Sequence, residues 1–141
     1  MKATDVLERC RAGAAEVQQL DQRLNRLLAC GADPATIERD VLKCRHALDE
    51  RARRLDAEKL AACRIVDMLP DPECCILYRY YVMGQNQGSI STALHIAVRT
   101  YKAQKRSGLA LVEQMDDGSV TALLPAWYLE MEGGAGNRGD C

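Results

Sequence analysis

Apolar and small residues recur at Val6, Cys10, Gly13, Val17, Leu20, Leu24 and Leu27, in steps of four and three that place them along one helical stripe. The spacing predicts a long amphipathic helix that runs out at "ACGADPATIERD". There Gly31 suits the left-handed position after a helix end, and Asp33 can cap the next helix. Pro34 fits its first turn, where no intrahelical partner awaits the N–H. A second stripe follows at Ile37, Val41, Cys44, Leu48, Arg51 and Leu55, and weakens toward Glu58 before Ala62 and Ile65. So short a connection predicts antiparallel packing as an αα-hairpin with coiled-coil character. Two helices alone have little core, so burial of the stripes against a second copy of the chain is an equal alternative, and a homodimer through these helices is expected.

"LPDPECC" interrupts the pattern. Pro70 ends the second helix, and Asp71-Pro72 repeats the cap-then-proline signal for a third helix carrying Ile76, Leu77, Tyr80 and Tyr81 and stopping at Gly84. Polar "QNQGS" leads into a short helix with Ile90 and Leu94 inside, then a tight bend near His95 to Ala97, then a longer helix from about Val98 to Met115. "VTALLPAWYLEM" suits a short strand, a turn around Pro125 or a docking segment, and "EGGAGNRGDC" reads as a disordered tail from about residue 132. The fold class is all-α. Residues 1–69 form a helical hairpin for dimerisation or partner docking, 70–115 a helix-turn-helix, and 116–141 a C-terminal extension.

A chain of 141 residues holds one ordinary domain, or a small one with a helical appendage. It has no Phe, so its core is built mostly from Leu, Ala, Val and Ile, which favours helices. The seven cysteines (Cys10, Cys30, Cys44, Cys63, Cys74, Cys75, Cys141) are odd in number and show neither a CxxC pair nor zinc spacing, which predicts reduced thiols and no metal. The N-terminus lacks the apolar run of a secretory signal, and no segment approaches the roughly 18 apolar residues of a membrane span; a cytoplasmic protein is expected. No glycine-rich phosphate loop, G-x-S-x-G or H-E-x-x-H occurs, and the two histidines, His46 and His95, are far apart. The chain is expected to be no enzyme and to need no cofactor.

Charge changes the picture. The formal net charge is -1, yet from Cys74 to Val112 there is no Asp or Glu, while Arg79, Arg99, Lys102, Lys105 and Arg106 make that window +5. Subtracting +5 from -1 leaves -6 for the rest of the chain. A locally basic compact unit is the electrostatic footprint of phosphate binding. On a helix starting near Ala97, residues Tyr101, Gly108, Leu109 and Val112 share one face, with Gln104 at its edge. Arg99, Lys102 and Arg106 lie along the opposite side. Preceded by a short helix and a bend carrying Ile96, this is the layout of a helix-turn-helix whose second helix enters the major groove.

Plainer roles compete at each position. The four cations Arg99, Lys102, Lys105 and Arg106 suit a solvated helix face as well. Gln85, Asn86, Gln87 and Ser89 suit either phosphate contacts beside a helix N-terminus or an ordinary polar loop. Tyr78, Tyr80, Tyr81 and Tyr101 can stack on bases, but the periodicity favours core for at least two. Cys74-Cys75 at a helix start fits a redox pair with lowered thiol pKa, although burial as small apolar residues is the commoner use.

From Leu69 to Val112, "LPDPECCILYRYYVMGQNQGSISTALHIAVRTYKAQKRSGLALV" resembles region 4 of bacterial sigma factors. It is most similar to the sigma-region-4-like transcriptional regulators of phages and prophages, of the ArpU and RinA kind. Leu77-Tyr78-Arg79-Tyr80-Tyr81 running to Gly84 matches the helix before the reader in that family. Ile90-Ser91, Ile96, Tyr101 and Gly108-Leu109 match its first-helix pair, turn aliphatic, apolar anchor and closing pair. The chain departs from the pattern at Ala97, where Ser or Thr usually caps the recognition helix, at Ser89 in place of an acid, and at Gln104 in place of an aliphatic.

The resemblance covers about a third of the chain and implies sequence-specific DNA binding in transcriptional control, in a bacterial or phage-infected cell. It turns Val98, Arg99, Lys102, Ala103 and Arg106 toward double-stranded DNA. From their charge and polarity rather than from the resemblance, Lys105 is expected to assist electrostatic capture and Gln87 and Ser89 are candidates for backbone contacts, with the recognition helix expected over about 97–112. RNA polymerase is a further partner that the resemblance implies. Two other functions fit the same sequence: a helical assembly protein resembling a phage small terminase, and a sigma-like protein that touches polymerase and never DNA.

Overall fold

The computed structural model describes residues 1–31 and 33–132, and every regular element among them is helical. Helix α1 spans Ala3–Ala29 and α2 spans Pro34–Asp67. Helix α3, Glu73–Leu77, runs on into a wider π-helical turn over Tyr78–Val82. Then come α4 (Gln87–Leu94), α5 (Val98–Glu113), α6 (Asp117–Thr121) and a last helix, α7, over 126–132.

The stripe of α1 is its buried side: Val6, Cys10, Gly13 and Leu24 are buried, joined by Ala3 and Leu7. In α2 the predicted stripe supplies Cys44, Leu55, Ala62 and Ile65, and Ala57, Glu58, Ala61 and Val66 widen it at the C-terminal end. The two helices run antiparallel. The Cys44 thiol reaches the Leu20 carbonyl at 3.5 Å, Arg51 pairs with Glu16, and farther along Gly13 faces Arg51 and Glu58. Asp33 caps α2 as its position predicts, accepting from the Thr36 N–H at 3.2 Å, with Pro34 in the first turn. Two cap predictions fail. Gly31 does not take the left-handed conformation, because α1 ends on an extended Cys30 whose N–H donates to Leu27. Asp71 does not cap α3; Pro72 itself stands at the cap position, after a cis Asp71–Pro72 peptide.

Gly13 and Arg51, odd members of apolar stripes, explain each other. A Cβ at residue 13 would collide with the Arg51 guanidinium. The glycine therefore leaves a channel through which Arg51 reaches Glu16 at 2.7 Å and Glu58 at 2.9 Å. Glu58 is 1% exposed and also accepts from the Tyr128 hydroxyl at 2.6 Å. A buried carboxylate is tolerated only when paired and hydrogen-bonded in this way.

Tyr128 belongs to the segment expected as strand, turn or docking piece, and the structure corrects that expectation to helix. Val120, Leu124 and Tyr128 are buried at intervals of four and join one core with Val6, Leu7, Ile65 and Val66. Pro125 separates α6 from α7 and accepts from the Tyr128 N–H at 3.1 Å. Glu132, where the disordered tail was expected to begin, pairs with Arg9 and Arg54. The remaining nine residues of that predicted tail lie outside the described residues. The main core also takes in Leu77, Tyr81 and Val112, so the base of the α1–α2 pair and the α3–α5 region share one apolar interior. Among the described residues, no helix is long and apolar enough to cross a membrane, and no three His, Cys, Asp or Glu side chains cluster as metal ligands.

Candidate nucleic-acid interface

Helix α4 begins at a local cap: the Asn86 side chain accepts from the Ser89 N–H at 2.8 Å. It ends where His95 adopts a left-handed conformation, φ 54° and ψ 44°. The Ile96 N–H then bonds back to the Ser91 carbonyl at 3.0 Å, the six-to-one closure of a left-handed helix stop. The bend predicted near His95 to Ala97 is therefore built by one backbone inversion. Helix α5 starts directly afterward, with Ala97 extended at its cap and offering no side-chain bond.

A small second core holds α5 against what precedes it. Ile76, Ile90 and Tyr101 are buried together, with Tyr80, Leu94 and Ile96 packed around them. Each fully buried aliphatic contributes about 1.5–3 kcal/mol. Gly108 lets α5 approach α3, since a Cβ there would sit 3.1 Å from Leu77 Cδ1 and 3.2 Å from Glu73 Cβ. Of the four tyrosines considered for stacking, Tyr81 and Tyr101 are core, and burial pushes the Tyr81 hydroxyl up to about 12 and raises that of Tyr101. Tyr78 is exposed and Tyr80 half-buried.

With Tyr101, Gly108 and Val112 turned inward, Val98, Arg99, Lys102, Ala103 and Arg106 are all exposed. Among the described residues no salt bridge reaches Arg99, Lys102 or Arg106. Gln87 and Ser89 are exposed in the first turn of α4. Their sequence neighbours are committed elsewhere: Asn86 is the cap, and the Gln85 side chain accepts from Arg79 at 3.3 Å. Lys105 differs from the other cations. It is half-buried, with its ammonium 3.6 Å from the centre of the Tyr80 ring.

Sequence reasoning missed one residue of this region, Arg11 of α1. Its guanidinium lies 3.9 Å from the same Tyr80 ring centre, and its Nη1 donates to the Tyr80 and Gln85 carbonyls, the latter at 3.1 Å. No local signal pairs residue 11 with residues 80 and 105. The redox reading of Cys74-Cys75 finds no support: both thiols are unpaired, and burial, with Asp71 and Asp67 nearby, pushes the Cys74 pKa up, away from the reactive thiolate. His46 and His95 are exposed on the surface, His46 lying 3.9 Å from Glu50.

Comparison with protein-family models, with curated proteins and with solved structures finds no match to the chain.

Proposed function

We propose that the protein binds double-stranded DNA sequence-specifically through α4 and α5, acting as a helix-turn-helix regulator of transcription of the phage or prophage type. The observation that carries this reading is the outer side of α5: Arg99, Lys102 and Arg106 stand exposed and unpaired among the described residues, on a helix anchored by Tyr101. Cations on a solvated face are commonly matched with carboxylates. Here the 39 residues from Cys74 to Val112 contain none.

In this reading the cations capture the phosphate backbone and release its counterions, and α5 lies in the major groove. Val98, Arg99, Lys102 and Ala103, in its first turns, meet base edges. Arg99 and Lys102 have the chemistry to donate to guanine O6 and N7, while Val98 and Ala103 offer apolar contact to a thymine methyl. Arg106 sits farther along, with Lys105, Gln87 and Ser89 toward the backbone. Leu28 and Leu42, 55% and 62% exposed on the long helices, support association of two copies there. Such a dimer would read paired half-sites.

The test is selection from a pool of randomised duplexes by purified protein, with sequencing of the retained DNA and titration over a range of salt. Wild type is expected to enrich a motif. Arg99→Ala is expected to relax that motif at one position and cost about 1–3 kcal/mol. Retention without any enriched sequence, or none at all, would count against sequence-specific binding.

A further inference from the structure

We propose that a cleft beside α5, to which α1 contributes Arg11, is a docking site for a DNA backbone phosphate, so that α1 adds a residue to the DNA interface. The proposal rests on the reading of α4 and α5 as a DNA reader. It adds to that reading a site whose key residue, Arg11, comes from outside those helices.

The cleft is an open groove of about 750 Å³ lined by Arg11, Lys102, Lys105 and Arg106 together with Tyr80 and Gln87. Only one acidic side chain, Glu113, is among its lining residues. Arg11 and Lys105 share the Tyr80 ring at 3.9 and 3.6 Å from its centre, so the two charges are no more than 7.5 Å apart. Neither has a salt-bridge partner among the described residues. Two cations this close, with no salt bridge to either among the described residues, concentrate positive potential at the cleft, which favours an anion such as a backbone phosphate.

Arg11 is prepared for the task. Its Nη1 is spent on the Tyr80 and Gln85 carbonyls, and its guanidinium carbon sits over the Tyr80 ring. Its orientation is thus set before any ligand binds, while Nε and Nη2 have no hydrogen-bond partner among the described residues. A preorganised guanidinium with spare donors is the geometry that recognises phosphate oxygens. Gln87 opens α4 at the cleft edge, and Lys102 and Arg106 border both the cleft and the outer face of α5. A strand whose bases face α5 therefore has its sugar-phosphate chain beside the cleft.

The experiment measures affinity of the full-length protein for the enriched duplex as a function of salt, for wild type, Arg11→Gln, Arg11→Lys and Lys105→Gln, each checked by thermal melting. Loss of one phosphate contact lowers the slope of log affinity against log salt by about 0.9. The expected result is that drop in both glutamine variants, with the same motif enriched as by wild type, and most of the slope kept in Arg11→Lys. An unchanged slope in Arg11→Gln with wild-type melting overturns the site, whatever Lys105→Gln does. A drop accompanied by a changed motif also overturns it, since the cleft would then be reading bases. If wild type binds no duplex, the DNA reading itself falls and this site with it, an outcome distinct from binding whose slope ignores residues 11 and 105. Should Arg11→Gln melt early because it also abandons two carbonyls, its slope is read at a temperature where circular dichroism shows it folded, and a wild-type slope there overturns the site.

Discussion

At the scale of single residues, several side chains that look misplaced in an apolar pattern are explained by partners far away in sequence. Glu58 is buried but meets Arg51 and Tyr128, and Arg51 crosses the stripe through the gap at Gly13. Cys10, fully buried on α1, has no such polar partner. Burial first, and Glu58 second, push its thiol from 9.0 up to about 11. Below pH 9 the thiol is protonated in both folded and unfolded chains, so the shift leaves stability untouched there. Between about pH 9 and 11 the unfolded chain releases the proton first, so stability falls as pH rises, by about 2–3 kcal/mol across the window. Urea unfolding at stepped pH is expected to show this decline in wild type and a flatter one in Cys10→Ala. Equal slopes in the two proteins would assign the loss elsewhere. Tyr81, raised to about 12, continues the decline above pH 10 in both.

At the scale of elements, the placement of α5 depends on how closely it can approach α3. Gly108 is the contact point, with Leu77 and Glu73 at 3.1–3.3 Å from the Cβ a larger residue would carry. Gly108→Leu is expected to force the helices apart and cost about 1–3 kcal/mol, read as a lower urea midpoint. Gly108→Ala is expected to cost much less, because the gain of about 1 kcal/mol in helix propensity offsets the tighter contact. A leucine variant as stable as wild type would mean that α3 and α5 do not pack as described.

At the scale of the whole molecule, the elements after Asp116 are part of the core and not an appendage. Val120, Leu124 and Tyr128 close over Val6 and Ile65, and Glu132 ties α7 to Arg9 and Arg54. Removing three buried side chains forfeits roughly 5 kcal/mol or more, comparable with the entire stability of a small domain. A chain stopped after Asp116 is therefore expected to lose its cooperative thermal transition, followed by circular dichroism. A sharp transition at the wild-type temperature would overturn this account of the C-terminal segment.

What the sequence alone determined is what local chemistry controls. Steps of three and four located α1, α2 and the buried face of α5, Asp33-Pro34 marked the start of α2, and the absence of carboxylates from Cys74 to Val112 singled out the basic helix. The stripes and the cap lie within a few residues of one another, where helical geometry fixes neighbours, and the missing carboxylates are a matter of composition along one stretch of chain. The helical docking of 117–132 was also written there, at Val120, Leu124 and Tyr128, but Pro125 hid the period of four. Only tertiary structure could bring Arg11 to Tyr80 and Lys105, or Glu58 to Tyr128, across 69, 94 and 70 positions of chain. No spacing rule links residues so far apart, because their proximity follows from how whole helices pack and not from the turn of any one of them.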